Sequence, residues 1–255
     1  MTTDTQTLDE VAVSRWLEAN LPGFAGPLEL TKFQAGQSNP TFLLSTPAHD
    51  YVLRRKPPGV LLKSAHAVDR EFRVQKALAG SQVPVAKMHL LCEDESVIGS
   101  TFYVMDHVPG RNFNDPTLPE LEPKQRAEVM DEMNGVLAAL HEVDINAIGL
   151  SDYGPPGNYF ERQVARWSKQ YRASETEKQP DMDQLMQRLA DNLPEDDGQR
   201  TLVHGDYRID NMIFDTYGTA CRAVLDWELS TIGHPFADLA PVILPRQMPV
   251  VFFFF

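Results

Sequence analysis

The stretch that decides the fold is Leu202-Val203-His204-Gly205-Asp206-Tyr207-Arg208-Ile209-Asp210-Asn211-Met212-Ile213-Phe214. An apolar run delivers a histidine, a glycine and an aspartate. An asparagine follows five positions after that aspartate, and a second apolar run leaves at once. Short apolar runs bounded by turn residues read as strands, so the pattern is strand, polar loop, strand. Fifteen residues beyond Asn211, Val224-Leu225-Asp226-Trp227-Glu228 sets another aspartate at the end of a third short run. Taken singly, an aspartate after glycine is a turn residue and an asparagine is a cap. Strand ends that deliver Asp206, Asn211 and Asp226 together are not explained by turn chemistry.

Phosphoryl transfer asks for this set of groups. An aspartate must orient an acceptor hydroxyl and take its proton, and polar side chains nearby must hold a divalent metal on the nucleotide phosphates. The spacing Asp-x-x-x-x-Asn is that of a kinase catalytic loop. Asp206 is therefore the expected base, and Asn211 and Asp226 are the expected Mg²⁺ ligands.

Working outward, a chain of 255 residues holds one large or two small domains. Acidic residues outnumber basic ones by 36 to 23, and the formal net charge of −13 argues against nucleic acid as a partner. Cys92 and Cys221 are too few and too far apart for a zinc set or a disulfide scaffold, the pattern of reduced thiols in a cytoplasmic protein. The longest apolar run, residues 249–255, is far short of the about 20 residues a bilayer needs, so no membrane partner is expected. Residues 1–10 are polar and acidic and do not read as a signal peptide.

Helical spacing of Leu8, Val11, Ala12, Trp16 and Leu17 predicts an opening helix. Short strands are expected over 28–33, 41–45 and 51–55, a helix over 66–78, and two more strands over 86–92 and 102–107. Beyond Pro109-Gly110 the pattern is helical over 123–140, 158–171 and 181–193, followed by short strands over 201–204, 212–214 and 223–225. The expected fold class is α+β: a small antiparallel sheet with one helix inserted after its third strand, then a mainly helical part holding a short hairpin. The boundary falls near residue 108, giving a first lobe over 1–108 and a second over 109–255.

The sequence resembles the kinase-like aminoglycoside phosphotransferase and choline kinase superfamily. It is most similar to the branch fused to, or encoded beside, acyl-CoA dehydrogenases. The matching pieces are Gly36-Gln37-Ser38-Asn39, Tyr51-Val52-Leu53-Arg54-Arg55-Lys56, Val68-Asp69-Arg70-Glu71-Phe72, Phe102-Tyr103-Val104-Met105, the loop around Asp206, and Leu225-Asp226-Trp227-Glu228 with Gly233-His234-Pro235. The resemblance implies a bilobal protein-kinase-like fold with ATP and Mg²⁺ in the cleft. Gly36, Ser38 and Asn39 would then lie over the phosphates, where backbone N–H groups cradle anionic oxygens. Strand alternation puts Val52 and Arg54 on one face, so Val52 would touch adenine and Arg54 would reach the phosphates. Glu71 would hold Arg54, with Lys56 as a second cation on the same face. The family generally places lysine where Arg54 stands. At the hinge, the Asp106 carbonyl and the Val108 N–H would bind adenine. Asp238 would brace the catalytic loop, and His204 and His141 would be packed, hydrogen-bonded histidines.

The family pattern stops near residue 240. Three prolines follow in 241–249 and forbid a regular helix, and the chain ends in four phenylalanines. This reads as a helical lobe incomplete at its end. The function expected is ATP-dependent transfer of a phosphoryl group to a small-molecule hydroxyl. The acceptor would be hydroxyacyl-CoA-like, with an amino alcohol or aminoglycoside second. The alternative is a nucleotide-binding module without turnover, supported by the missing lysine.

Overall fold

Alternation along one strand sets the architecture. In the computed structural model, which describes residues 8–33, 39–57 and 67–247, β3 (Asp50–Arg55) is the central strand of a five-stranded antiparallel sheet. With β1 (Glu29–Lys32), β2 (Thr41–Ser45), β4 (Met88–Cys92) and β5 (Phe102–Asp106), the order is β1-β2-β3-β5-β4. The register sets Arg54 between Thr41 of β2 and Tyr103 of β5. Leu44, Leu53, Phe102 and Val104 share the face that packs on Val13 and Leu17 of α1 (Glu10–Asn20). Val52, Tyr103 and Met105 occupy the other face and pack on Val68 and Phe72 of α2 (Val68–Leu78). The expected alternation of Val52 and Arg54 holds, and it turns Arg54 toward α2.

In α2 the buried residues Val68, Glu71, Phe72, Gln75 and Leu78 follow helical spacing, and one of them is a carboxylate. Asp69 and Glu71 in its first turn and Lys76 in its last complement the helix dipole. Beyond the sheet, α3 (Pro123–His141) starts with Pro123 and buries Val129, Met133, Val136, Leu137 and Leu140 on one stripe. Next come α4 (Tyr159–Ser174) and α5 (Pro180–Asp191), neither of which buries a residue. Asn158 caps α4 by accepting hydrogen bonds from the backbone of Phe160 and Glu161.

The expected hairpin is one of two small ladders. β7 (Met212–Phe214) pairs with β8 (Cys221–Val224), whereas β6 (Thr201–Val203) pairs with β9 (Thr231–Gly233). The sequence reading has no strand at 231–233. Three residues ending in glycine carry too little alternation to read, and the glycine serves packing: a Cβ on Gly233 would sit 2.6 Å from the Tyr159 ring.

The end of the described chain corrects the expectation drawn from its prolines. α6 (Phe236–Gln247) is helical through Pro241 and Pro245. The two prolines lie four apart, so the missing hydrogen bonds fall on one stripe of the helix. The first turn is fixed from outside, because Asp238 is fully buried and accepts two backbone hydrogen bonds from the loop after β6, while Leu239 and Val242 pack on the core. These contacts outweigh the local cost of proline, about 3 kcal/mol per residue.

Candidate active site

The loop that follows β6 is held from three sides. His204 donates from Nε2 to the carbonyl of Leu225 (2.8 Å), and its Nδ1 faces the N–H of Asp206 (3.3 Å). Asp238 accepts from the backbone N–H groups of His204 and Gly205, both at 2.7 Å, and His141 Nε2 lies 3.2 Å from the same carboxylate. Gly205 has φ +85°, a conformation glycine adopts without strain, and a Cβ there would stand 2.7 Å from the Leu229 carbonyl. The loop therefore has one backbone path. It ends with the Asn211 side chain donating to the carbonyl (2.9 Å) and to Oδ2 (3.0 Å) of Asp206. Arg208 contacts the other carboxylate oxygen at 3.2 Å.

Asp206 and Asn211 are thus in contact, and the Leu225 N–H donates to the Asn211 carbonyl (2.8 Å), which draws the loop against the strand end that carries Asp226. Asp226 has φ +63°, one of two non-glycine residues with positive φ among the described residues. A left-handed aspartate is a strained backbone position, of the kind that clusters at functional sites.

Arg54 reaches Asp226 from the sheet. Its Nη2 lies 2.5 Å from Asp226 Oδ1, and its Nε lies 3.1 Å from Glu71 Oε2. Glu71 is fully buried and also accepts from Asn39 (2.9 Å) and from the Tyr103 hydroxyl (3.0 Å). Burial pushes its carboxyl up to about 7, against the opposing pull of the Arg54 guanidinium. Asn39 is itself buried, and its amide is shared between Glu71 and Glu228 (3.3 Å). Oxygens of Glu71, Asp226 and Glu228 converge within 4.8 Å, a hard-donor cluster that suits Mg²⁺.

Of the residues expected from sequence, Arg54, Glu71, Asn39 and Asp226 form one contact network, and Asp206 with Asn211 forms a second beside it. Val52 is buried against α2, and Val108 packs on the same cluster. Asp106, at the end of β5, turns its carboxylate to His49 and His89. Lys56 lies 3.8 Å from Asp69. Gly36 and Ser38 lie outside the described residues. Glu228 was missed as a site residue, although the carboxylate two positions after Asp226 is its sequence signal.

A cavity of about 1730 Å³ adjoins the network at Gly205 and Glu228. Its wall carries Arg70, Arg162, Arg166 and Arg200 with the rings of Tyr159 and Trp167, and it also carries Asp69, Asp144 and Asp152. Arg162 and Arg200 donate to backbone carbonyls of residues 156–157 rather than to carboxylates. Sequence reasoning missed this arginine cluster because the net charge of the chain is negative and Arg70 of α2, the pair Arg162 and Arg166 of α4, and Arg200 before β6 meet only in the fold.

The model of the phosphotransferase enzyme family matches residues 29–250. The chain belongs to that family. Acyl-CoA dehydrogenase family member 10 of Mus musculus is 47% identical over 249 residues, and family member 11 of Homo sapiens is 46% identical over 251. These alignments take in 97% and 95% of this chain but only 23% and 32% of the curated relatives, so the chain spans a quarter to a third of their length. A crystal structure of a Ralstonia eutropha protein assigned to the aminoglycoside phosphotransferases is 51% identical, with a TM-score of 0.85 over 96% of this chain and 73% of that one. A complex of aminoglycoside phosphotransferase APH(4)-Ia with ADP and hygromycin B matches at 17% identity, over 92% of this chain and 77% of that one, with a TM-score of 0.65, and shows the fold alone. The chain is thus bilobal and kinase-like, as expected. No helix among the described residues is long and apolar enough to cross a membrane.

Proposed function

We propose that this phosphotransferase moves the γ-phosphoryl group of ATP to a hydroxyl of a small anionic acceptor of the hydroxyacyl-CoA type. The observation that carries the reading is the convergence of Asp206, Asn211 and Asp226 through the hydrogen bonds of His204, Leu225 and Asn211. Asp206 is the base that orients the acceptor hydroxyl and takes its proton. Asn211 and Asp226 hold Mg²⁺, with Glu228 beside them, and the metal supplies neutralisation of phosphate charge. Arg54, fixed by Glu71, faces the phosphates. Asn39 donates to both Glu71 and Glu228 and so holds the two carboxylates in one network. Val52 meets the adenine ring, and the Asp106 carbonyl and Val108 N–H bind its edge. Catalysis is mostly positioning and charge stabilisation.

Two observations favour an anionic acceptor over an amino alcohol or aminoglycoside. The cavity beside Gly205 presents four arginines and Lys56 against the carboxylates of Asp69, Asp144, Asp152 and Glu228, and guanidinium forks match phosphate oxygens. Trp167, half exposed at 49%, offers a flat face on which a base or an acyl chain can lie. The names of the relatives point the same way, toward acyl-CoA esters. The test is a screen with γ-labelled ATP against hydroxyacyl-CoA esters, choline and aminoglycosides. Label on the hydroxyacyl-CoA esters is expected. Label on the cationic acceptors alone would overturn the acceptor class. ATP binding with no transfer to any acceptor would favour a binding module.

A further inference from the structure

At the far side of the sheet from Arg54, three side chains converge that the phosphotransferase site does not use. His49 stands in the turn before β3, His89 lies in β4, and Asp106 ends β5. The Nε2 atoms of both histidines point at the same atom, Asp106 Oδ1, at 3.0 Å and 2.5 Å, and the three groups fall within 4.8 Å of one another. We propose that His49, His89 and Asp106 bind a divalent transition-metal cation of the zinc class, separate from the Mg²⁺ site at Asp226.

The donor set sorts the metals. Two imidazole nitrogens and one carboxylate oxygen are borderline ligands that suit zinc, cobalt or nickel, whereas magnesium takes oxygen donors. A tetrahedral zinc ion with bonds of about 2.0–2.1 Å spaces its ligand atoms about 3.3 Å apart. The pair at 3.0 Å needs a small outward movement to admit the ion, and the pair at 2.5 Å a movement of under about 1 Å. Each ligand is fixed by contacts of its own. The Thr46 hydroxyl accepts from the His49 N–H, the Lys87 carbonyl accepts from the Asp106 N–H, and the Tyr51 ring meets both imidazoles, at 4.5 Å and 5.4 Å between centroids. The side chains of His49, His89 and Asp106 are 47%, 15% and 28% exposed, which leaves a route for the ion and room for water in the remaining positions. An ion here would tie three strand ends together beside the segment that carries Val108. Sequence spacing does not reveal the site, because the three residues meet only through the strand order β3-β5-β4.

The test is calorimetric titration of metal-free protein with zinc chloride, in the presence of Mg²⁺, on the wild type, His49→Gln, His89→Gln and Asp226→Ala. One zinc per chain is expected, with affinity lowered more than about tenfold in either histidine variant and unchanged in Asp226→Ala. Equal affinity in the histidine variants, loss in Asp226→Ala alone, or no binding at micromolar zinc would each overturn the proposal. A second readout needs no variant. On adding zinc to ¹⁵N-labelled wild type, the Nε2 resonances of His49 and His89 should move from protonated to metal-bound positions. Resonances that stay in place mean that the cluster is a hydrogen-bonded brace and not a metal site.

Discussion

His204 is neutral by construction: Nε2 donates to Leu225, Nδ1 faces the Asp206 N–H, and complete burial holds its pKa below the ordinary value. In the unfolded chain the same imidazole takes a proton near 6.5. Stability from this residue is therefore present above about pH 6.5 and is lost as pH falls below it, because the unfolded state then binds the extra proton. Urea unfolding at a series of pH values from 7.5 to 5 should show stability falling toward acid, with a His204 share of at most about 1.4 kcal/mol per pH unit. His204→Gln should show a shallower slope, and an unchanged slope would mean that the imidazole is not held neutral. Arg54 poses a different question. Its Nε and Nη2 meet Glu71 and Asp226 at once, and a lysine has one nitrogen for the two. Arg54→Lys should raise the KM for MgATP by about tenfold, the worth of one charge-assisted hydrogen bond, with a smaller effect on kcat. An unchanged KM would remove Arg54 from the nucleotide site.

Among the elements, α6 controls the loop that carries Asp206. Replacing Asp238 by alanine strips the buried N–H of His204 and the partly buried N–H of Gly205 of their acceptor, and hydrogen bonds to a charged group are worth about 1.5–3 kcal/mol each. Asp238→Ala should cost about 3 kcal/mol or more in urea unfolding. A loss under 1 kcal/mol would mean that the loop does not depend on α6. Gly205 and Gly80 share φ +85°, yet a Cβ on Gly80 meets nothing within 4 Å while one on Gly205 meets the Leu229 carbonyl. Gly205→Ala should therefore destabilise more than Gly80→Ala by unfolding midpoint, and equal losses would show that backbone strain alone matters. The same elements show what was legible in sequence. The alternation in Tyr51-Val52-Leu53-Arg54 and the apolar stripe from Val129 to Leu140 carry their own periods, so the sheet and α3 could be read directly. β9 has too few residues for a period. Local proline chemistry misleads at α6, because a buried carboxylate from that helix binds a distant loop.

Across the whole molecule, the first lobe meets the helical part through the apolar side chains of Val74, Leu78 and Val83 and through polar contacts: Arg54 to Asp226, Asn39 to Glu228, and Arg70 of α2 to the carbonyls of Tyr153 (2.8 Å) and Ser230 (3.3 Å). Sequence motifs marked Asp206, Asn211, Asp226, Arg54 and Glu71 because each sits in a short readable run. The arginine wall was hidden, since Arg162 and Arg200 are brought together only by the turn at residues 156–157. The central claim is that Asp206 moves the proton while Asp226 holds the metal on the nucleotide. The most direct test measures MgATP affinity by calorimetry and γ-phosphoryl transfer to a hydroxyacyl-CoA ester in the same preparations of wild type, Asp206→Asn and Asp226→Ala. Asp206→Asn should bind MgATP within about twofold of wild type, a difference under about 0.5 kcal/mol, and transfer no label, whereas Asp226→Ala should lose metal-dependent binding itself. Label transfer that survives in Asp206→Asn, or equal MgATP affinities in all three proteins, would contradict the account.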